Sequence, residues 1–235
     1  SDGTPAKPAT VFSGKVVATS FKADASGNPV LTPGYYAGAT VFIDANGNGV
    51  KDTGEDSAVT DATGQFSIST TAASLAGQIV ADIPKTATNT ASGATVPAHL
   101  ILRASAAQVA AQGQAAIVVS PLSTEVQRAV EANTSSYATE TANAAARLTG
   151  PAFSKGTATV TAADVVADVN KLAGAEQYAL LYESNSLANR YTYATAKLDR
   201  GDKYPDALAV AGGDPRLAGA GADTRTAITY AQAQQ

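Results

Sequence analysis

The sequence predicts an α+β chain in which an antiparallel β-sandwich comes first and an Ala-rich α-helical half follows. Two patterns carry this. Up to about residue 104, short β-branched runs recur between Gly-, Pro- and Asn-containing turns, the spacing of a sandwich. From about residue 105, Ala, Gln and Glu replace Thr, Gly and Val, and the apolar spacing shifts to threes and fours. With 235 residues, 45% of them hydrophobic, the chain can bury a full core. The expected organisation is an extended arm over residues 1–10, a β-sandwich over 11–104 and a helical domain over 105–235.

The arm is rich in Pro, Ala and Thr, and Pro5 and Pro8 favour extended, unpaired backbone. Strands are expected at residues 11–19 (VFSGKVVAT), 39–43 (ATVFI), 58–60, 65–70 (QFSIST), 78–83 and 98–103. The separators are turn formers: Ser26-Gly27-Asn28-Pro29, Pro33-Gly34, Asn46-Gly47-Asn48-Gly49 and Thr63-Gly64. In the second half, Ser120-Pro121 reads as an N-cap with Pro at the first helical position, and Leu122, Val126, Ala129 and Val130 then share a face. Thr161 and Asp164 form a capping-box pattern ahead of Val165, Val169 and Leu172. A long helix is predicted over 175–200, with Leu180, Leu187, Tyr191 and Leu198 on one face and Gly201 as its stop. The segment around Gly212, Gly213, Gly219 and Gly221 reads as a loop before a short helix at 224–233. Ala makes up roughly a fifth of the chain, which permits close helix packing, with a partner among the possibilities.

Composition removes several classes of function. Charged residues are 15% of the chain, the net charge is −4, and no Lys/Arg cluster of the kind that follows phosphates occurs, so nucleic acid is not an expected partner. Without Cys there is neither a disulfide framework, a thiolate metal site nor a thiol nucleophile. No run reaches the roughly 18–20 apolar residues that a membrane span requires. A chain starting at Ser1 without an initiator Met is expected to have lost an export signal, and a lipid anchor upstream fits the same reading.

Residues 44–55, DANGNGVKDTGE, place oxygen donors where a twelve-residue Ca²⁺ loop needs them. Asp44, Asn46 and Asn48 occupy positions 1, 3 and 5, Gly49 the bend, the Val50 carbonyl position 7, Asp52 position 9 and Glu55 position 12. Both flanks read as strands, so the frame is β rather than the helical frame of an EF-hand. The competing reading is a polar Asn-Gly hairpin tip without metal. Asp61 is either a further ligand or the start of the Asp61–Gly64 turn.

The run SGKVV…AGATVFIDANGNGVKDTGEDSAVTDATGQFSIS, residues 13–69, resembles the carboxypeptidase regulatory-like and serine-aspartate-repeat B-type domains of bacterial surface proteins. The resemblance rests on Gly38-Ala39-x-Val41, on D-x-N-x-N-G-x-x-D-x-G-E, and on Thr60-Asp61-x-x-Gly64-x-Phe66. It implies a prealbumin-like or immunoglobulin-like sandwich, structural Ca²⁺ and a non-catalytic stalk or adhesion role. VVSPLSTEV at 118–126 is similar to the helix start that follows such a domain in proteobacterial surface proteins and lipoproteins.

Enzyme readings find little to build on. His99, the single His, lies in AHLILR, where alternation puts it on one strand face, and there is no G-x-S-x-G elbow to supply a serine. Paired carboxylates of a glycosidase are recognisable only in space, and the richest acidic cluster already belongs to the 44–55 loop. Tyr137, Tyr178, Tyr182, Tyr191, Tyr193, Tyr204 and Tyr230 read as core or interface side chains. GGDPRLAGAGAD lacks the strand, the helix and the Lys of a phosphate loop. The expectation is therefore a non-enzymatic structural subunit of an extracellular or cell-surface assembly, a self-polymerising filament whose arm pairs with a neighbour's sheet edge. Ten extended residues span roughly 30 Å, enough to reach an adjacent copy. The alternative is a monomeric adhesin or ligand-binding surface lipoprotein.

Overall fold

The structure, a computed structural model, describes residues 3, 9–148, 160–172 and 174–211. Most of the expected arm, the Gly-rich segment after 211, Tyr230 and the helix expected at 224–233 lie outside the described residues.

The first sheet is organised by one long strand, β1 (Thr10–Ala23). Its first half pairs antiparallel with β5 (Gln65–Thr70), from Thr10↔Thr70 to Lys15↔Gln65. Its second half pairs antiparallel with β2 (Pro29–Ala37), from Val17↔Tyr35 to Ala23↔Pro29. β2 continues to β7 (Thr88–Asn89) and β8 (Ala94–Thr95). The second sheet is antiparallel throughout, in the order β4 (Ser57–Val59), β3 (Thr40–Asp44), β6 (Gln78–Ile83), β9 (Leu100–Ala104). In β5 the pattern is strictly alternating, with Phe66, Ile68 and Thr70 buried and Gln65, Ser67 and Ser69 exposed. β6 is buried at nearly every position, as a strand covered on both faces must be.

Pro33-Gly34, expected as a turn, lies inside β2. The glycine is there for space rather than for a bend: a Cβ on Gly34 would come within 2.3 Å of the Ala91 backbone nitrogen. Among the described residues the switch to helices near residue 105 has one exception, the three-residue strand β10 (Ile117–Val119), which pairs in parallel with β1 at Gly14↔Ile117.

The helices are α1 (Ala106–Gln112), α2 (Pro121–Asn133), α3 (Tyr137–Leu148), α4 (Ala162–Val165), α5 (Gly174–Asp199) and α6 (Tyr204–Ala211), with a 3-10 turn at Val169–Lys171. Ser120 caps α2 as its sequence requires, with Ser123 returning the bond to the cap's own N–H. Thr161 and Asp164 form the expected reciprocal pair, but the helix they start lasts only four residues. Val165 and Val169 are buried there, and Leu172 is half-buried. Leu180, Leu187 and Tyr191 form the buried face of α5, and Leu198 is half-buried against the same core.

Helices seal two sheet edges. On β9, the Ile101 N–H donates to Thr195 Oγ1 of α5 and the Arg103 N–H to Thr124 Oγ1 of α2. The Arg103 carbonyl accepts from Ser123 Oγ at 2.7 Å. On β10, Gln108 Nε2 donates to the Val118 carbonyl and Gln112 Oε1 accepts from the Val118 N–H. Backbone groups that would otherwise be left open are thus paired by side chains. One apolar cluster runs from Phe12 through both sheets to Leu180, Tyr191 and Leu208. Among the described residues no helix is long and apolar enough to cross a membrane.

Candidate metal centre

β3 ends at Asp44, which is 0% exposed and opens the 44–55 loop. Asp44 Oδ1 accepts the Asn48 N–H at 3.2 Å, and Oδ2 accepts the Gly49 N–H and Gln78 Nε2, both at 2.9 Å. No Lys, Arg or His among the described residues pairs with this carboxylate. Three neutral N–H donors thus hold a buried carboxylate that has no cationic side chain beside it.

The remaining predicted donors fold back on the same loop. Glu55 bridges its ends, accepting the Ala45 N–H at 2.9 Å and the Asp52 N–H at 2.7 Å. Asp52 Oδ2 accepts the side-chain amides of Asn46 and Asn48, both at 2.8 Å. Asn48 Oδ1 accepts the Val50 N–H, and the Val50 side chain points to solvent. Gly49 supplies the bend at φ +74°, and a Cβ there would lie 2.7 Å from the Tyr204 ring. Only glycine meets both demands.

Asp61 is placed differently. Its Oδ1 accepts the Thr63 hydroxyl at 2.7 Å and the N–H groups of Thr63 and Gln65. The Thr63 hydroxyl, then these backbone donors, hold its carboxyl below the usual range. In this structure Asp61 starts the turn. Among the described residues, no three His, Cys, Asp or Glu side chains are grouped so as to hold a metal ion by themselves. The loop's donor set is of another kind, since two of its members are amides and one is a backbone carbonyl.

The loop is tied to the helices by Gln78 and Arg103, which the sequence did not single out, and by Tyr204, expected there as a core or interface side chain. Gln78 Oε1 accepts from Arg103 Nη1 at 3.3 Å, and Arg103 pairs with Glu131 of α2. The Arg103 guanidinium also lies over the Tyr204 ring, 5.4 Å from its centroid. Burial, with the Asp44 and Glu131 charges, raises the Tyr204 hydroxyl to about 12 against the lowering effect of Arg103. Gln78, Arg103 and Tyr204 therefore form a buried path from Asp44 to α2 and α6. Its signal in the sequence is an Arg in the apolar run LILRA and a Gln opening the buried run QIVADI.

His99 lies between two carboxylates. Nε2 meets Asp82 Oδ1 at 2.5 Å and Nδ1 meets Asp199 Oδ2 at 2.8 Å. Burial opposes a charged ring, but the two carboxylates outweigh it and raise the pKa to about 9. Both ring nitrogens are thereby occupied, and neither partner is a hydroxyl nucleophile.

The tyrosines divide by place. Tyr191, Tyr193 and Tyr204 are buried, and Tyr191 donates to Glu125 Oε2 at 2.5 Å, joining α5 to α2. Tyr178, half exposed, stacks on Tyr182 at 5.9 Å between centroids. Comparison of the chain with protein-family models, with curated proteins and with solved structures finds no match.

Proposed function

We propose that this chain is a non-enzymatic structural subunit of an extracellular or cell-surface assembly, its two sheets forming an immunoglobulin- or prealbumin-like sandwich braced by Ca²⁺ in the 44–55 loop. The observation that carries the reading is Asp44, a fully buried carboxylate without a cationic side chain, at position 1 of a complete twelve-residue donor spacing. Bound there, Ca²⁺ supplies the missing positive charge to Asp44, Asp52 and Glu55. The side-chain amides of Asn46 and Asn48 donate to Asp52. Their nitrogen and oxygen ends are nearly equal in shape, so a turn of each amide offers oxygen instead. Such a site braces rather than reacts, since Asp44 connects through Gln78 and Arg103 to Glu131.

Self-assembly is supported by the way edges are managed. The edges of β9 and β10 are closed by the chain's own Thr and Gln side chains. Among the described strands that leaves β4, β5 and the two-residue β8 as edges, and the longer β5 as the one that an extended Pro-rich arm from another copy would use. Negative-stain electron microscopy of the purified chain in Ca²⁺ and then in chelator tests the whole reading. Regular fibres that loosen in chelator support it, and fibres lost on deletion of residues 1–10 assign the arm its role. Dispersed particles under both conditions transfer the assignment to a monomeric surface adhesin or ligand-binding lipoprotein, a second reading favoured by the polar cleft on α5 described next.

A further inference from the structure

We propose that the cleft between α5, the β1–β2 pair and the 89–100 segment, part apolar through Val96, Pro97 and Leu100, binds a small neutral polyhydroxylated ligand, of the class of a terminal sugar unit. The inference does not depend on the Ca²⁺ loop. Residues 185, 188, 189 and 192 lie at helical spacing on one face of α5, and that face is Asn, Ala, Asn, Thr where it meets the sheet. A helix face turned to a sheet is ordinarily apolar. Here it closes a cleft of about 130 Å³ whose floor includes Thr19 and Tyr36, each 3% exposed.

Asn89, Ser92 and Thr192 spend their side chains on neighbouring backbone, but other polar groups of this cleft are open. Thr19 Oγ1 is buried without a hydrogen-bond partner. Among the described residues, the Tyr36 hydroxyl and the side-chain amides of Asn185 and Asn189 make no hydrogen bond either. Buried polar groups are nearly always paired, so the open Thr19 hydroxyl, beside the Tyr36 hydroxyl and the partly exposed amides of Asn185 and Asn189, calls for an occupant. The space is large enough for ordered water, which a ligand carrying several hydroxyls can replace bond for bond.

Charge decides the class of ligand. No Asp, Glu, Lys, Arg or His lines the cleft. A carboxylate, phosphate or ammonium would be desolvated there without a counter-ion. Hydroxyls and amides both donate and accept, matching a ligand whose own groups do the same. Ser92 and Thr95 at the exposed rim extend this character outward.

Saturation-transfer NMR on the full chain tests the proposal with methyl glycosides of neutral hexoses and of an N-acetylhexosamine, alongside glucuronate and glucosamine as charged controls. The expected result is transfer to at least one neutral glycoside and binding at least about tenfold weaker for the charged sugars. Asn189→Leu removes the amide at nearly constant volume on a partly exposed helix position, so it should fold normally and lose the signal. Thr19→Val should weaken binding while leaving the melting temperature unchanged or higher, because it deletes a buried hydroxyl that the free protein cannot satisfy. Absence of transfer to every neutral glycoside overturns the inference and leaves the cleft to water. Binding that persists unchanged in both variants also overturns it, by placing the sugar elsewhere.

Discussion

At the scale of single residues, two groups concentrate the electrostatics. Asp44 accepts three N–H bonds in full burial, so its loss is felt with or without metal. Asp44→Ala orphans those donors and should cost about 2–4 kcal/mol. Combined with Glu55→Ala, it should also abolish any difference between melting in Ca²⁺ and in chelator; a wild type that melts identically in the two would remove the metal from the loop. His99 acts through pH. Its folded pKa of about 9 exceeds the ordinary value of 6.5, so its contribution is complete below pH 6.5 and disappears as pH rises through 9. After allowance for solvent around Asp82 and Asp199, that contribution is about 1–2 kcal/mol. Urea unfolding of wild type and His99→Gln should differ at pH 6 and converge by pH 10, whereas a constant gap would mean that the ring acts through packing alone.

At the scale of elements, hydroxyls from helices finish the β9 edge. Thr195→Val leaves the Ile101 N–H buried and unpaired without changing side-chain shape, and Thr124→Val does the same at Arg103. Each should cost about 1–3 kcal/mol in urea unfolding. Losses near zero would show that water reaches the edge. Such pairings lie beyond a sequence reading because Thr195 and Ile101 are 94 residues apart and a mid-helix Thr has no special local signature. Local chemistry was legible: Ser120-Pro121 starts α2, Gly201 follows α5, and alternation marks β5. What misled was chemistry with two uses. Pro33-Gly34 has turn composition, yet Gly34 is small to admit Ala91. The three residues of β10 are too few to show a period, and only a partner strand makes them one. In the 44–55 loop, the spacing marks the proposed donors, whereas Gln78, Arg103 and Tyr204 behind them come from three separate segments.

At the scale of the whole molecule, the question is whether the strand-rich and helix-rich parts stand alone. β10 adds to the first sheet from beyond residue 104, α1 seals it with Gln108 and Gln112, and α2 and α5 seal β9. One apolar cluster joins Phe12 to Leu208. A chain ending at residue 104 would therefore expose both an apolar surface and a row of unpaired backbone groups, and it should aggregate or remain unfolded. The full chain should instead unfold in one transition, with far-ultraviolet circular dichroism and tyrosine fluorescence coinciding. Under the Ca²⁺ reading, metal at a hundredfold excess over its dissociation constant raises that single transition by about 2.7 kcal/mol of stability, helices included, because binding to any part of a cooperative unit stabilises all of it. A 1–104 fragment with its own reversible, Ca²⁺-sensitive transition would establish the opposite: two independent units, with the metal confined to the first and the path through Gln78, Arg103 and Tyr204 a matter of packing rather than of coupling.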